Sequence, residues 1–166
     1  MIRRLFIVVS IIFIFGLFGC VKSNNNEENV SGEPKITNDS KQVDDFEVTI
    51  NVEKDLNVYA TITYIGEAAE KDIYHGGSIF FFNIYQQDGD FEYFGAMTQP
   101  LITTTLIQNE PHIVKFEGIE KLKLKTGTYE FEAIANFSLD SDDVLETKFE
   151  IPVSKITKPI TFFITE

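Results

Sequence analysis

Residues 129–137 read YEFEAIANF, and this stretch decides the fold because apolar residues occupy every second position. Successive side chains of a β-strand point to opposite faces of the sheet, so a period of two indicates a strand with one buried face. The residues that would share the buried face are Tyr129, Phe131, Ala133, Ala135 and Phe137. We therefore predict a strand here that packs one face against a hydrophobic core.

Strand-like segments recur on both sides of this stretch, separated by turn residues such as Asp88-Gly89. The other predicted strands cover residues 46–52, 56–64, 78–86, 91–97, 103–108, 112–117, 145–153 and 160–164. Residues 66–77 interrupt the pattern and are predicted to form a loop, and no stretch shows a helical period. The sequence therefore predicts an all-β protein whose domain, residues 43–166, is an antiparallel β-sandwich of about eight or nine strands.

Charge and leucine alternate in residues 120–125 (EKLKLK). Lysines on an outer strand discourage it from pairing with the sheet of another molecule. This segment is therefore predicted to be an edge strand.

Two segments resemble known β-sandwich families. Residues 122–133 (LKLKTGTYEFEA) resemble the late-strand corner of immunoglobulin-like and fibronectin-type domains, which implies that the Tyr129 hydroxyl bonds to nearby backbone. Residues 77–85 (GSIFFFNIY), with Asp88-Gly89 after them, are similar to the central hairpin of the intracellular proteinase inhibitor family of Gram-positive bacteria. That family has an immunoglobulin-like fold. Because the chain has no tryptophan after this turn, only the fold is carried over, not protease inhibition.

The N-terminus has the pattern of an export signal. Met1–Arg4 is basic, Leu5–Phe18 is apolar and shorter than the roughly 20 residues of a membrane span, and Leu17-Phe18-Gly19-Cys20 closes the run. These four residues resemble the lipobox of bacterial lipoprotein precursors, with Phe18 where a small residue is usual. The resemblance implies that residues 1–19 are cleaved and that Cys20 carries a diacylglyceryl group outside the cell membrane. The alternative is an uncleaved N-terminal helix.

After the signal peptide, residues 20–42 have the composition of a disordered linker, rich in Asn, Ser and Glu and poor in apolar residues. The formal net charge of the whole chain is −12. Phosphate backbones repel such a chain, so nucleic acid is not an expected partner. The expected partners are the membrane, through the lipid, and a protein or cell-wall component.

The predicted contact surface combines the 66–77 loop with the aromatic hairpin of residues 80–97. The candidate binding residues are Tyr74, His75, Phe91, Tyr93 and Phe94. Loops and edges of β-sandwiches commonly carry binding sites, which favours a non-enzymatic interaction module. The alternative use of these aromatic side chains is packing in the core.

Enzymatic chemistry has little support in the sequence. A small cell-envelope hydrolase could use His75, but no nucleophile motif accompanies it. A calcium site could use the acidic turn, with Asp140, Asp142, Asp143 and Glu146 as oxygen ligands. This turn lacks the glycine and spacing of an EF-hand loop, so a solvated turn is the preferred interpretation and no cofactor is expected.

Overall fold

The computed structural model describes residues 39–96 and 100–161, which belong to the compact unit formed by residues 33–166. Within these ranges it contains ten strands and one short 3-10 helix, Ile119–Leu122. The strands are β1 (Asp39–Val43), β2 (Phe46–Val52), β3 (Val58–Tyr64), β4 (Glu70–His75), β5 (Phe80–Gln86), β6 (Glu92–Phe94), β7 (Ile102–Ile107), β8 (Pro111–Lys115), β9 (Tyr129–Ser138) and β10 (Lys148–Ile156).

All pairings between these strands are antiparallel, and they form two sheets. The four-stranded sheet has the order β1-β2-β3-β8. In the six-stranded sheet, β5 and β10 pair with opposite sides of β9, and β6 pairs with β5. β4 pairs with β9 through one residue pair, Tyr74 with Ser138, and β7 pairs with β4. The orders β2-β3-β8 and β5-β9-β10 match strands A-B-E and C-F-G of immunoglobulin-like domains. The predicted β-sandwich is confirmed.

The core lies between the inner faces of the two sheets. Alternate residues of 129–137 are buried as their periodicity predicts: Tyr129, Phe131 and Phe137 are at most 2% exposed. On the facing sheet, the alternate residues of β2 and β3 are buried in the same way. Burial of apolar area at about 25 cal/mol per Å² is the main force that holds such sheets together. The shared core fixes which face of each strand is left for other contacts.

Tyr129 makes the hydrogen bond that its resemblance to the immunoglobulin-like corner implies. Its side chain is fully buried, and its hydroxyl donates to the Lys125 carbonyl at 2.8 Å. This bond closes the turn that leads into β9. The corner therefore has a structural role.

We expect Tyr129→Phe to lower the free energy of unfolding by about 1 kcal/mol, because it removes the hydrogen bond between the buried Tyr129 side chain and the Lys125 carbonyl. Tyr59→Phe, which removes a hydroxyl from the outer face of β3, is the matched control and should change stability by less than about 0.5 kcal/mol. Urea unfolding of both variants measures the difference. Equal losses of stability in the two variants would show that the hydrogen bond from Tyr129 to Lys125 does not stabilise the fold.

Three predicted segments differ in the structure. Residues 39–42 were predicted to be linker, yet they belong to β1, which pairs with β2 from Asp39 opposite Ile50 to Val43 opposite Phe46. Residues 66–77 were predicted to be a loop, yet they contain β4, which pairs along its whole length with β7. β1 is polar and lies at the edge of its sheet, and β4 begins with three charged residues, so their partners rather than their own periodicity define both strands.

The predicted edge strand at residues 120–125 is also wrong, because the 3-10 helix occupies its first half. Gly118 and Lys123, on either side of that helix, both have positive φ, 88° and 49°. A chain in the left-handed region at both points turns sharply and cannot run as an extended strand. Leu124 is buried in the core at the end of this turn.

Several predictions concern residues outside the described ranges: the signal peptide 1–19, Cys20, linker residues 21–38, Met97, and the final strand beyond residue 161. Ile160, at the start of that strand, forms an isolated bridge with Gly127. Within residues 39–96 and 100–161, no helix is long and apolar enough to cross a membrane.

Lys155 is an unusual member of the buried set. Its side chain is 5% exposed on the inner side of β10, and its Nζ has no hydrogen-bond partner among the described residues. Burial lowers the pKa of the Lys155 amine, while the carboxylate of Asp39 raises it by a smaller amount. A buried cation without hydrogen bonds destabilises a fold.

We therefore expect Lys155→Met to raise the free energy of unfolding at pH 7 by about 1 kcal/mol, because the apolar chain fills the same space without a buried charge. The gain should shrink as the pH approaches 10.5, where the unfolded lysine also loses its proton. Lys148→Met, at an exposed position, is the control and should be within about 0.5 kcal/mol of wild type. A loss of stability in Lys155→Met would contradict this account.

Candidate functional site

An apolar groove of about 540 Å³ opens on the outer face of the six-stranded sheet. Phe81 of β5 and Asn136 of β9 line it from the strands. Both side chains face away from the core, because each stands between two buried neighbours on its strand. Leu101, before β7, and Val144 and Leu145, between β9 and β10, line it from the connections. Two strands and two connections therefore meet at this groove.

The apolar side chains of the groove are accessible to solvent. Leu145 is 84% exposed, Leu101 57% and Val144 36%. None of them, nor Phe81, belongs to the core cluster or to the partly buried residues that pack against it. Grouped apolar side chains outside a core commonly mark a binding surface.

The turn that presents Val144 and Leu145 is held by hydrogen bonds that start from a buried serine. Ser138 is fully buried, and its hydroxyl accepts from the Asp140 N–H at 3.2 Å and bonds the Thr147 hydroxyl. The Thr147 hydroxyl in turn donates to the Asp143 carbonyl at 2.9 Å. The structure thus fixes the turn while leaving its two apolar side chains in solvent.

His75 lies at the groove, but not in a loop as predicted. It is the last residue of β4 and is 8% exposed. Its Nδ1–H donates to the Gly76 carbonyl at 2.7 Å, so in the neutral ring Nε2 accepts from the Thr104 hydroxyl at 2.8 Å. Burial lowers the pKa of His75, the Gly76 hydrogen bond opposes this, and the positive charge of His112 adds to the lowering. Both ring nitrogens are therefore engaged within the protein.

These contacts predict a pH-dependent contribution to stability. Because the folded pKa of His75 is below its ordinary value of 6.5, the unfolded chain binds a proton first, and stability falls as the pH drops below about 6.5. His75→Gln should be less stable by about 1–2 kcal/mol at pH 8, and the gap to wild type should narrow toward pH 5. Denaturant titrations at several pH values measure it. Parallel stability curves would contradict the burial of a neutral imidazole.

The predicted aromatic surface is divided in the structure. Tyr74 lines the groove beside His75. Phe91 packs against Tyr129 with ring centroids 6.1 Å apart, and Tyr93 packs against Phe116 at 5.5 Å. Phe91 and Tyr93 thus contact the core rather than forming an exposed patch. Phe94 is 61% exposed and contacts Tyr85, on the β5–β6 hairpin.

The acidic turn does not bring its carboxylates together as a metal site. Asp140, Asp142, Asp143 and Glu146 are all exposed, and Asp140 Oδ1 accepts the Asp142 N–H at 2.8 Å. In the part of the chain that the structure describes, no three His, Cys, Asp or Glu side chains are grouped to hold a metal ion. The turn is better described as an acidic segment that presents Val144 and Leu145 to solvent.

Three apolar groove residues, Leu101, Val144 and Leu145, lie outside the predicted contact surface, and Phe81 lies within its hairpin but was not among the candidate binding residues. One signal could have found two of them, because Val144-Leu145 is an apolar pair inside an acidic turn. Phe81 has no such signal, since it stands in the run Phe80-Phe81-Phe82, where either face could be the buried one.

Comparison with protein-family models, curated proteins and solved structures found no match to this chain. The groove is the feature in which exposed apolar side chains, a fixed turn and predicted site residues coincide.

Proposed function

We propose that this protein is a lipid-anchored bacterial lipoprotein whose β-sandwich binds a partner outside the cell membrane through the groove. The anchor is supported by the resemblance of Leu17–Cys20 to a lipobox and by the short apolar run before it. Two acyl chains on Cys20 would hold the protein stably, whereas a single chain gives only marginal binding. The partner is a protein or a cell-wall component.

The observation that carries the binding role is the exposure of Leu101 and Leu145 on one groove. Removing apolar surface from water stabilises a complex by about 25 cal/mol per Å² of buried area, so a partner that covers these side chains is bound favourably. The hydrogen bonds of Ser138 hold the turn in place before binding, which reduces the entropy that a partner must overcome. A fixed apolar surface of this kind favours recognition.

The surroundings of His75 favour binding over hydrolysis. Its two nitrogens are already bonded to Gly76 and Thr104, so neither faces the groove as a free base. The Asn136 amide and the Lys148 ammonium, the latter bonded to Glu150 at 3.0 Å, are the polar groups beside it. These groups can orient a bound ligand by hydrogen bonding without hydrolysing it.

A comparative pull-down tests this proposal. The full-length protein in neutral detergent is immobilised as wild type, as Leu145→Asp and as Ile113→Asp, and envelope extract from the same bacterium is passed over each. Ile113 is 55% exposed on β8 of the other sheet and is the matched control. We expect a partner retained by wild type and Ile113→Asp and reduced at least tenfold on Leu145→Asp, as loss of a central apolar anchor predicts. Equal capture by all three would overturn the assignment of the groove.

A further inference from the structure

We propose that the partner segment seated in the groove is a basic peptide, one that carries apolar side chains together with lysine or arginine. This inference rests on the proposed function and adds the chemistry of the partner. The apolar side chains would contact Phe81, Leu101 and Leu145, and the basic side chains would face the acidic turn.

Negative charge lies next to the groove, although no carboxylate is among the described side chains that line it. The turn that supplies Val144 and Leu145 also carries the exposed carboxylates of Asp140, Asp142, Asp143 and Glu146. No lysine or arginine occurs in residues 126–147, so no cation of the same segment neutralises them. A surface potential of one sign attracts a partner of the opposite sign and rejects a like one.

Lys148 is the basic residue on the groove itself. Lys148 Nζ is 3.0 Å from the Glu150 carboxylate, so its charge is already matched on β10. It therefore adds little attraction for an acidic ligand. The four exposed carboxylates of the neighbouring turn outnumber this one lysine.

The groove also offers a polar group among its apolar side chains. The side-chain amide of Asn136 lines the floor beside Phe81, and it can both donate to and accept from a peptide backbone. A peptide satisfies this amide and places alternate side chains against the apolar walls. An anionic lipid or a second copy of this acidic chain would bring like charge to the turn instead.

Fluorescence anisotropy with three synthetic peptides tests the inference. The probe is a fluorescein-labelled decapeptide of leucine and lysine, compared with the same peptide with every lysine replaced by glutamate or every leucine replaced by serine. The full-length protein is held in neutral detergent micelles, and empty micelles provide the background. We expect the leucine–lysine peptide to bind at least tenfold more tightly than either other peptide, and less tightly at 0.5 M salt because the charges are then screened.

Variants locate the bound peptide. Leu145→Asp should weaken the leucine–lysine peptide at least tenfold, and the double change Asp142→Asn with Asp143→Asn should weaken it about threefold to tenfold. Ile113→Asp, outside the groove, should leave the affinity unchanged. Stronger binding of the glutamate peptide, equal binding of all peptides, or affinity that survives Leu145→Asp would each overturn the inference.

The pull-down separates this inference from the proposed function. If the leucine–lysine peptide shows no preference while Leu145→Asp still loses its captured partner, the partner is not a basic peptide but the groove remains the binding surface. If Leu145→Asp changes neither peptide binding nor capture, both proposals fail. Concentration-dependent dimerisation that Leu145→Asp abolishes would identify a second copy as the occupant and overturn the inference.

Discussion

Phe46→Ala is expected to lower the free energy of unfolding by about 3–5 kcal/mol, the usual loss when a fully packed phenylalanine is removed. Phe46 is 2% exposed, and its ring centroid lies 4.9 Å from that of Phe137, 5.6 Å from Phe149 and 5.7 Å from Tyr64. These rings join β2 and β3 to β9 and β10, one sheet to the other. Removing the central ring therefore leaves a cavity between the sheets that the neighbouring strands cannot close.

Phe94→Ala is the matched control for this prediction. Phe94 is 61% exposed on β6, so the same change should alter stability by less than about 0.5 kcal/mol. Urea unfolding curves of the two variants, with wild type, measure the difference. Similar losses at both positions would contradict the arrangement in which Phe46 is core and Phe94 is surface.

Cys20→Ser is expected to shift most of the protein from the membrane fraction to the soluble fraction, at least a tenfold change in their ratio. Two acyl chains hold a protein on a bilayer stably, and the net charge of −12 provides no attraction to anionic headgroups that could replace them. Ser23→Ala, three residues beyond the lipobox, is the control and should leave fractionation unchanged. Membrane retention and unaltered gel mobility of Cys20→Ser would favour the uncleaved N-terminal helix.

The β-sandwich could be predicted from sequence because the residues of its inner faces follow an alternating pattern within each strand. Alternation in β2, β3 and β9 survives in the structure with the predicted residues buried, since a period of two depends only on the geometry of each strand. Tyr129 could be placed for a similar reason: its partner, Lys125, is four residues away.

The strand β4 was missed because it depends on a partner that is distant in the chain. β4 carries Glu70, Lys71 and Asp72, and it is stabilised by β7, where the Thr105 hydroxyl donates to the Asp72 carboxylate at 2.6 Å. The groove has the same origin, because Phe81, Leu101 and Leu145 come from segments far apart in the chain. The sequence pattern within each segment does not show that the three segments lie together in the fold.

Photo-crosslinking in living cells tests most directly whether the groove holds a partner. A photoreactive phenylalanine analogue is placed at Leu145 in the full-length protein, and separately at Ile113 on the other sheet. We predict a discrete adduct of defined mass from position 145 and a much weaker one, or none, from position 113. Adducts of equal yield at both positions, or none at position 145 while the protein is folded and present in the membrane fraction, would contradict the account.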